Sequence, residues 1–156
     1  MISRTAEYAF QALAFLSQSR GGAVTTREIA EATGLPADYL SKILRSLRKH
    51  GILLAHRGIG GGFALARPAS SIGVLDVLTG LGEKLPSVER CPLGIAGHTE
   101  VCQVHGTIND AVHQIRCRFS NLSIQDLTEN MDPASIRCCL DDSARSRVAA
   151  SDQPKT

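Results

Sequence analysis

The chain has 156 residues, 43% hydrophobic and 21% charged, the composition of one globular domain with a real core, which excludes a disordered or low-complexity chain. Aromatic residues make up only 4% and Trp is absent, so the core is expected to be aliphatic. The net charge of +2 is unevenly spread: residues 1–67 hold nine Lys and Arg against four acids, and residues 68–156 hold eight against eleven, so the front half is matched to a polyanion.

No stretch approaches the roughly 18–20 apolar residues of a membrane span. The N-terminal MISRTAEYAFQALAFL lacks the basic region, apolar run and cleavage site of a signal peptide. The expectation is a cytoplasmic protein with no membrane partner. In a reducing compartment its five cysteines point to metal or redox chemistry rather than to structural disulfides.

Helical spacing over residues 4–18 places Ala6, Ala9, Phe10, Leu13 and Leu16 on one stripe, with Glu7 and Gln11 one turn apart on another face. From this pattern alone Glu7 reads as a solvated helix residue. Thr25-x-x-Glu28 is a capping box that opens a second helix, Ile29 and Ala30 face inward, and Gly34 supplies the left-handed residue that ends it. Pro36 suits the first position of the next helix, so the turn is tight and the two helices cross steeply, as in a helix-turn-helix.

The next helix, about 36–50, buries Leu40, Ile43, Leu44 and Leu47 and presents Asp38, Ser41, Lys42, Arg45 and Lys49 on the opposite face. Its N-terminal end, with Ala37, Asp38, Tyr39, Ser41 and Lys42, is the part expected to meet base edges, while Arg45, Arg48 and Lys49 suit phosphates, and Pro36 just before it belongs to the same candidate DNA-binding set. Thr26, at the start of the preceding helix, joins this candidate DNA-binding set. Strands at 52–57 and 62–66 flank Gly58-Ile59-Gly60-Gly61-Gly62, with Phe63 and Leu65 turned inward. Arg57 at the base of this tip can reach a minor groove, and Gly60 and Gly61 let the backbone come close. A phosphate-cradling loop is excluded, because no Gly-Lys-Ser/Thr follows and the glycines lead into a strand. A helix-turn-helix followed by such a hairpin is a winged helix. The His residues at 50 and 56 read as phosphate neighbours or plain surface.

The segments YAFQALAFL, TTREIAEATGLPADYLSKILRSLRKHGIL and RGIGGGFALARP resemble the family of bacterial winged-helix regulators that includes IscR, NsrR and CymR. The resemblance runs from about residue 2 to residue 130 and is most specific over 25–67. It implies a mainly α fold with a small β wing and a long dimerisation helix, forming a homodimeric transcription regulator that binds a palindromic double-stranded operator. It also implies that many members sense through an iron–sulfur cluster, and that some answer to a docked protein instead.

Downstream, 70–82 reads as a helix capped by Ser70 or Ser71 with Ile72, Leu75 and Leu78 buried. Residues 103–120 form a long helix with Ile108, Ala111, Val112, Ile115 and Phe119 on one stripe, which the resemblance assigns to dimerisation. Residues 123–127 suit a short closing helix capped by Ser123. The expected organisation is a DNA-binding domain over 1–82, a sensor loop over 83–104, dimerisation and closing helices over 105–132, and a tail over 141–156 with no apolar pattern.

The sensor expectation rests on CPLGIAGHTEVCQVH. Cys102-x-x-His105 has metal-ligand spacing at a helix start. By resemblance, Cys91 matches the first cysteine of the cluster-binding members, Cys102 the last and His105 a histidine one turn beyond it. The middle cysteine is missing, and His98 lies near its place. Glu7 aligns with an acid that reaches the cluster from the first helix of the partner subunit, and Gln11 with a further position one turn on. These residues suggest a 2Fe–2S shell of Cys91, Cys102, one of His98 or His105, and Glu7. Zinc held by Cys91, His98, Cys102 and His105, and a pair of oxidisable thiols, remain open beside it. Cys117 lies off the helix stripe and reads as incidental, as do Cys138 and Cys139 at the edge of the tail. No nucleophile–base constellation suggests an enzyme. The leading expectation is a repressor whose operator affinity follows redox, nitric oxide or iron status. The alternative is a cluster-free regulator of the same fold.

Overall fold

The first helix, α1 (Arg4–Gln18), starts where the Ser3 hydroxyl accepts the Ala6 N–H at 3.2 Å. Its stripe of Ala6, Ala9, Ala12, Leu13 and Leu16 is buried. The structure, a computed structural model, describes residues 2–19, 22–88 and 101–129. The elements that follow are α2 (Thr26–Thr33), α3 (Ala37–Lys49), β1 (Leu53–His56), β2 (Gly62–Leu65), α4 (Val74–Gly80) and α5 (Gln103–Ser120). Among the described residues no helix is long and apolar enough to cross a membrane.

One aliphatic cluster joins α1, α2, α3 and the hairpin. Its large, fully buried members include Leu13, Ile29, Leu40, Leu44, Leu47, Ile52 and Leu53, together with Ile72, Val77 and Ile124. The expected inner face of α3 is the one buried. β1 and β2 pair antiparallel with Leu53 opposite Leu65 and Ala55 opposite Phe63, and both Phe63 and Leu65 pack on the cluster. The hairpin root is tied to the helices by Val24, which exchanges two backbone hydrogen bonds with Phe63 at 2.9 and 2.8 Å.

Three local expectations are corrected. Pro36 sits just before α3 rather than in its first turn, as the residue whose carbonyl accepts the Leu40 N–H at 2.9 Å. The helix expected over 70–82 is divided. A single 3-10 turn covers Ala69–Ser71, Ile72 is buried in an extended link, and α4 begins only at Val74. Neither Ser70 nor Ser71 caps it; the Asp76 carboxylate accepts the Gly73 N–H at 3.3 Å and also receives Arg67 at 2.7 Å. In that frame Val74, Val77 and Leu78 are buried and Leu75 is half-buried. The closing helix at 123–127 is a run of hydrogen-bonded turns. Ser123 and Asp126 make the reciprocal cap bonds, but the chain has already bridged to Gly73 and seals the core with Ile124.

The capping box of α2 is present as read. Thr25 Oγ1 accepts the Glu28 N–H at 3.2 Å, and the Glu28 carboxylate accepts from the Thr25 hydroxyl and the Thr25 N–H, both at 2.7 Å. These two bonds, the hydroxyl first, hold the Glu28 carboxyl below its ordinary range. A lowered folded value means the contribution is complete above the unfolded carboxylate range, near pH ~4.3, and disappears as pH falls through the folded value. Thr25→Ala, which removes the N-cap bond to the Glu28 N–H, should lose about 1 kcal/mol at neutral pH, the usual loss for an N-cap. In urea denaturation the gap to the parent protein should narrow once the medium is acidic enough to protonate Glu28.

Candidate nucleic-acid interface

The turn between α2 and α3 is made by Gly34 at φ 71° and ψ 13°, a left-handed residue that any side chain would strain, and by Leu35, which is buried. This short connection leaves α3 with one face in the core and the other in solvent. Asp38, Lys42, Arg45, Arg48 and Lys49 are all exposed, as are Pro36 and Ala37. The ion pairs among the described residues are Arg27–Glu31 and Arg67–Asp76, so Lys42, Arg45, Lys49 and Arg57 are left to an external anion. Ser41 is half-buried and donates its hydroxyl to the Ala37 carbonyl at 2.9 Å, which keeps its oxygen as an acceptor. Thr26 is half-buried at the head of α2.

Tyr39 plays a part that its position alone did not show. Its hydroxyl is hydrogen-bonded to Thr5 on α1, and its ring stands edge-on to Tyr8, with centroids 5.9 Å apart at 83°. The first turn of α3 is thus fixed to the first turn of α1. In turn Ser3, the cap of α1, donates to the Glu83 carboxylate in the segment after α4. A further clamp holds that segment: Asn109 on α5 accepts the Val88 N–H at 2.9 Å and donates to the Val88 carbonyl at 2.8 Å.

The wing extends beyond this surface. Arg57 follows β1 and is exposed, and Gly58 and Gly60 have φ of +96° and +75°. At Gly61 a Cβ would meet the His56 carbonyl oxygen at 2.6 Å, so the tip closes only with glycine there.

Cys102 is the residue just before α5, and its Sγ lies 3.2 Å from Nδ1 of His105; both residues are half-buried. The expected Cys-x-x-His pair is therefore formed. Cys91 and His98 lie outside the described residues, as do Cys138 and Cys139. Glu7 is exposed on α1, and one turn on the buried Oε1 of Gln11 has no hydrogen-bond partner among the described residues. A thiol and an imidazole are apt donors for a soft metal or cluster, but among the described residues no group of three or more His, Cys, Asp or Glu converges. The described part thus fits such a group with two donors and needs the rest from outside it.

A family profile described as Rrf2, iron-dependent transcriptional regulator, matches residues 2–130. The chain belongs to the Rrf2 family. Its Rrf2 relatives include the HTH-type transcriptional regulator IscR of Escherichia coli, 27% identical over 132 residues that cover 83% of this chain and 82% of that protein. A Mycobacterium tuberculosis protein assigned as an HTH-type transcriptional regulator is 39% identical over 94 residues, 60% of this chain but only 58% of its own length. Among solved structures the fold matches CymR of B. subtilis, described as the global cysteine regulator, with a TM-score of 0.73 at 21% identity over 85% of this chain and 98% of that one. It also matches IscR of T. potens, with a TM-score of 0.69 at 26% identity over 86% and 90%. This chain accordingly has the winged-helix fold of the Rrf2 family, which is described as transcriptional regulators.

Sequence reasoning did not find Thr5, Tyr8 and Ser3, which fix the reading helix and α1, or Asn109. Asn109 lies off the apolar stripe of α5, so helical periodicity does not mark it. The Tyr8–Tyr39 contact leaves no periodic trace, because the two rings lie on different helices.

Proposed function

We propose that the protein acts as a homodimer that reads a palindromic double-stranded operator, with the N-terminal end of α3 in the major groove and the wing in the adjacent minor groove. The basic, externally unpaired face of α3 carries this reading. Ala37, Asp38, Ser41 and Lys42 are the groups for base edges, Thr26, Pro36, Arg45 and Lys49 serve the phosphate backbone, and Arg57 with Gly60 and Gly61 serves the minor groove. Tyr39 positions α3 through Thr5 and Tyr8. Dimerisation is supported by α5, where only Val112 is buried, while Val104 is 67% and Ile108 42% exposed. A second copy laid on this stripe would cover it and set two reading helices on one duplex. Residues 1–82 then form the reader, 83–104 the sensor loop and 105–132 the dimer contact.

The sensor reading is a 2Fe–2S cluster held by Cys91, Cys102 and His105 or His98, with Glu7 from the second copy. The Cys102–His105 contact supports it, together with the iron dependence in the family's description. When bound, such a cluster supplies a redox-active centre whose potential rises with nitrogen ligation. The chain's own residues would convert occupancy into position, because the loop leads back through Val88 to Asn109 and through Glu83 to Ser3, α1 and Tyr39. A coupling of roughly 1–3 kcal/mol between the two ends is enough for a useful switch. The sign expected is repression.

The missing middle cysteine favours a second, cluster-free reading in which Cys91 and Cys102 respond as thiols, or in which zinc or a docked protein takes the sensor's place. CymR of Staphylococcus aureus, 24% identical, has been solved in an oxidized form. Iron and acid-labile sulfide analysis of anaerobically purified protein separates the two. Equal iron and sulfide, lost in Cys102→Ser, is expected; protein with neither and no visible absorption would sink the cluster. Selection of duplexes from a random pool should return an inverted repeat, and failure to enrich any sequence would count against the reader.

A further inference from the structure

The wing tip carries an aliphatic side chain that nothing covers. Residues 58–61 form a turn closed by the Gly61 N–H donating to the Gly58 carbonyl at 2.9 Å, with Gly60 in its third position at φ +75°. This is the pattern of a type II turn, which puts Ile59 at the corner. Ile59 is 111% exposed, and among the described residues the next most exposed large hydrophobic is Val104 at 67%. With glycine at 58, 60, 61 and 62, no flanking side chain shields it except Arg57.

The corner is also well anchored. Val24 holds Phe63 by two backbone bonds, and the paired strands carry that restraint to the tip. A tip that met only phosphates would be served by Lys, Ser or bare backbone N–H groups, whereas an aliphatic side chain gains only by meeting apolar surface. In a minor groove that surface is the sugar walls and the faces of partly unstacked bases, where Ile and Leu act as wedges in other proteins. Arg57, two residues earlier, directs the same tip towards the negative potential of that groove.

We propose that Ile59 is an apolar minor-groove wedge that favours a flexible pyrimidine–purine step beneath the wing, adding sequence preference at a position α3 does not touch. The proposal rests on the reading of α3 and the wing as the DNA interface. The pyrimidine–purine preference follows from the low cost of unstacking such steps.

The test uses the full-length protein, iron-loaded and iron-free, on a duplex enriched from a random pool. Anisotropy gives affinity across a range of salt, and energy transfer between end labels gives the bend. Ile59→Asn is expected to lose at least about tenfold in affinity, the scale set by burial of one aliphatic side chain, and to reduce the bend. Its salt slope should stay unchanged, because no charge is removed. Ile59→Leu should restore both readouts. Replacing the pyrimidine–purine step under the wing by an A-tract should weaken the parent protein and leave Ile59→Asn nearly indifferent. Equal affinity and bend for the parent and Ile59→Asn would overturn the wedge while leaving the DNA interface standing. A parent protein that binds no duplex would overturn both.

Discussion

Replacing Arg45 and Lys49 together by Ala is expected to weaken operator binding about thirtyfold at 0.15 M salt and to flatten the salt dependence by about two units of slope. The figure follows from counterion release: each phosphate contact contributes about 0.9 to the slope of log affinity against log salt, and that contribution vanishes near ~1 M salt. Both side chains are exposed, and neither takes part in the ion pairs among the described residues. Their removal therefore leaves no buried group unsatisfied, and thermal stability should stay within about 0.5 kcal/mol of the parent. Anisotropy at several salt concentrations reads both quantities at once. An unchanged slope would mean that these cations are merely the solvated side of an amphipathic helix. A loss confined to one operator sequence, with the slope intact, would move Arg45 from the phosphates to a base edge.

That prediction could be framed from sequence because α3 states its geometry in its residue order. Leu40, Ile43, Leu44 and Leu47 repeat at helical spacing, so the basic residues between them had only one place to go. The cap of α2 and the glycine that ends it were legible for the same reason, since each depends on residues a few positions apart. Legibility failed where a distant group competed. Ser70 and Ser71 look like caps, yet Ile72 is drawn into the core, its carbonyl accepting the Ile124 N–H while the Val74 N–H donates to the Leu122 carbonyl, which delays α4 to Val74. The closing helix after Ser123 was lost to that same pairing. Tyr39 stands at the end of α3 expected to meet base edges, and its hydroxyl and ring also meet Thr5 and Tyr8, contacts that no local spacing announces. At the start of α5 the spacing of Cys102 and His105 foretold their contact, because three residues along a helix make about one turn. The ligand set beyond that pair rests on a family likeness and not on any local rule.

The second large effect is expected from Gly62→Ala, which should destabilise the protein by about 2–3 kcal/mol and weaken DNA binding further than that loss explains. A Cβ at Gly62 would stand 2.4 Å from both the carbonyl carbon and oxygen of Val24 and 2.8 Å from the Thr25 nitrogen. These are backbone atoms at the head of α2, and they cannot rotate away as a side chain would. Relief requires β2 to withdraw from Val24, which breaks the 2.9 and 2.8 Å bonds between Val24 and Phe63 and loosens Phe63 from the core. Gly58→Ala is the contrasting case. Its φ of +96° strains any side chain, but no atom lies within 4 Å of the added carbon, so it should cost only about 1–2 kcal/mol of backbone strain. Urea denaturation ranks the two, with Gly62→Ala the worse. Binding measured where both variants are fully folded then isolates position from stability: Gly62→Ala moves the root that carries Arg57 and Ile59 relative to α3, and two contacts that must meet one duplex together lose their common register. If Gly62→Ala bound as tightly as the parent under those conditions, the wing would be a structural hairpin, and recognition would belong to α3 alone.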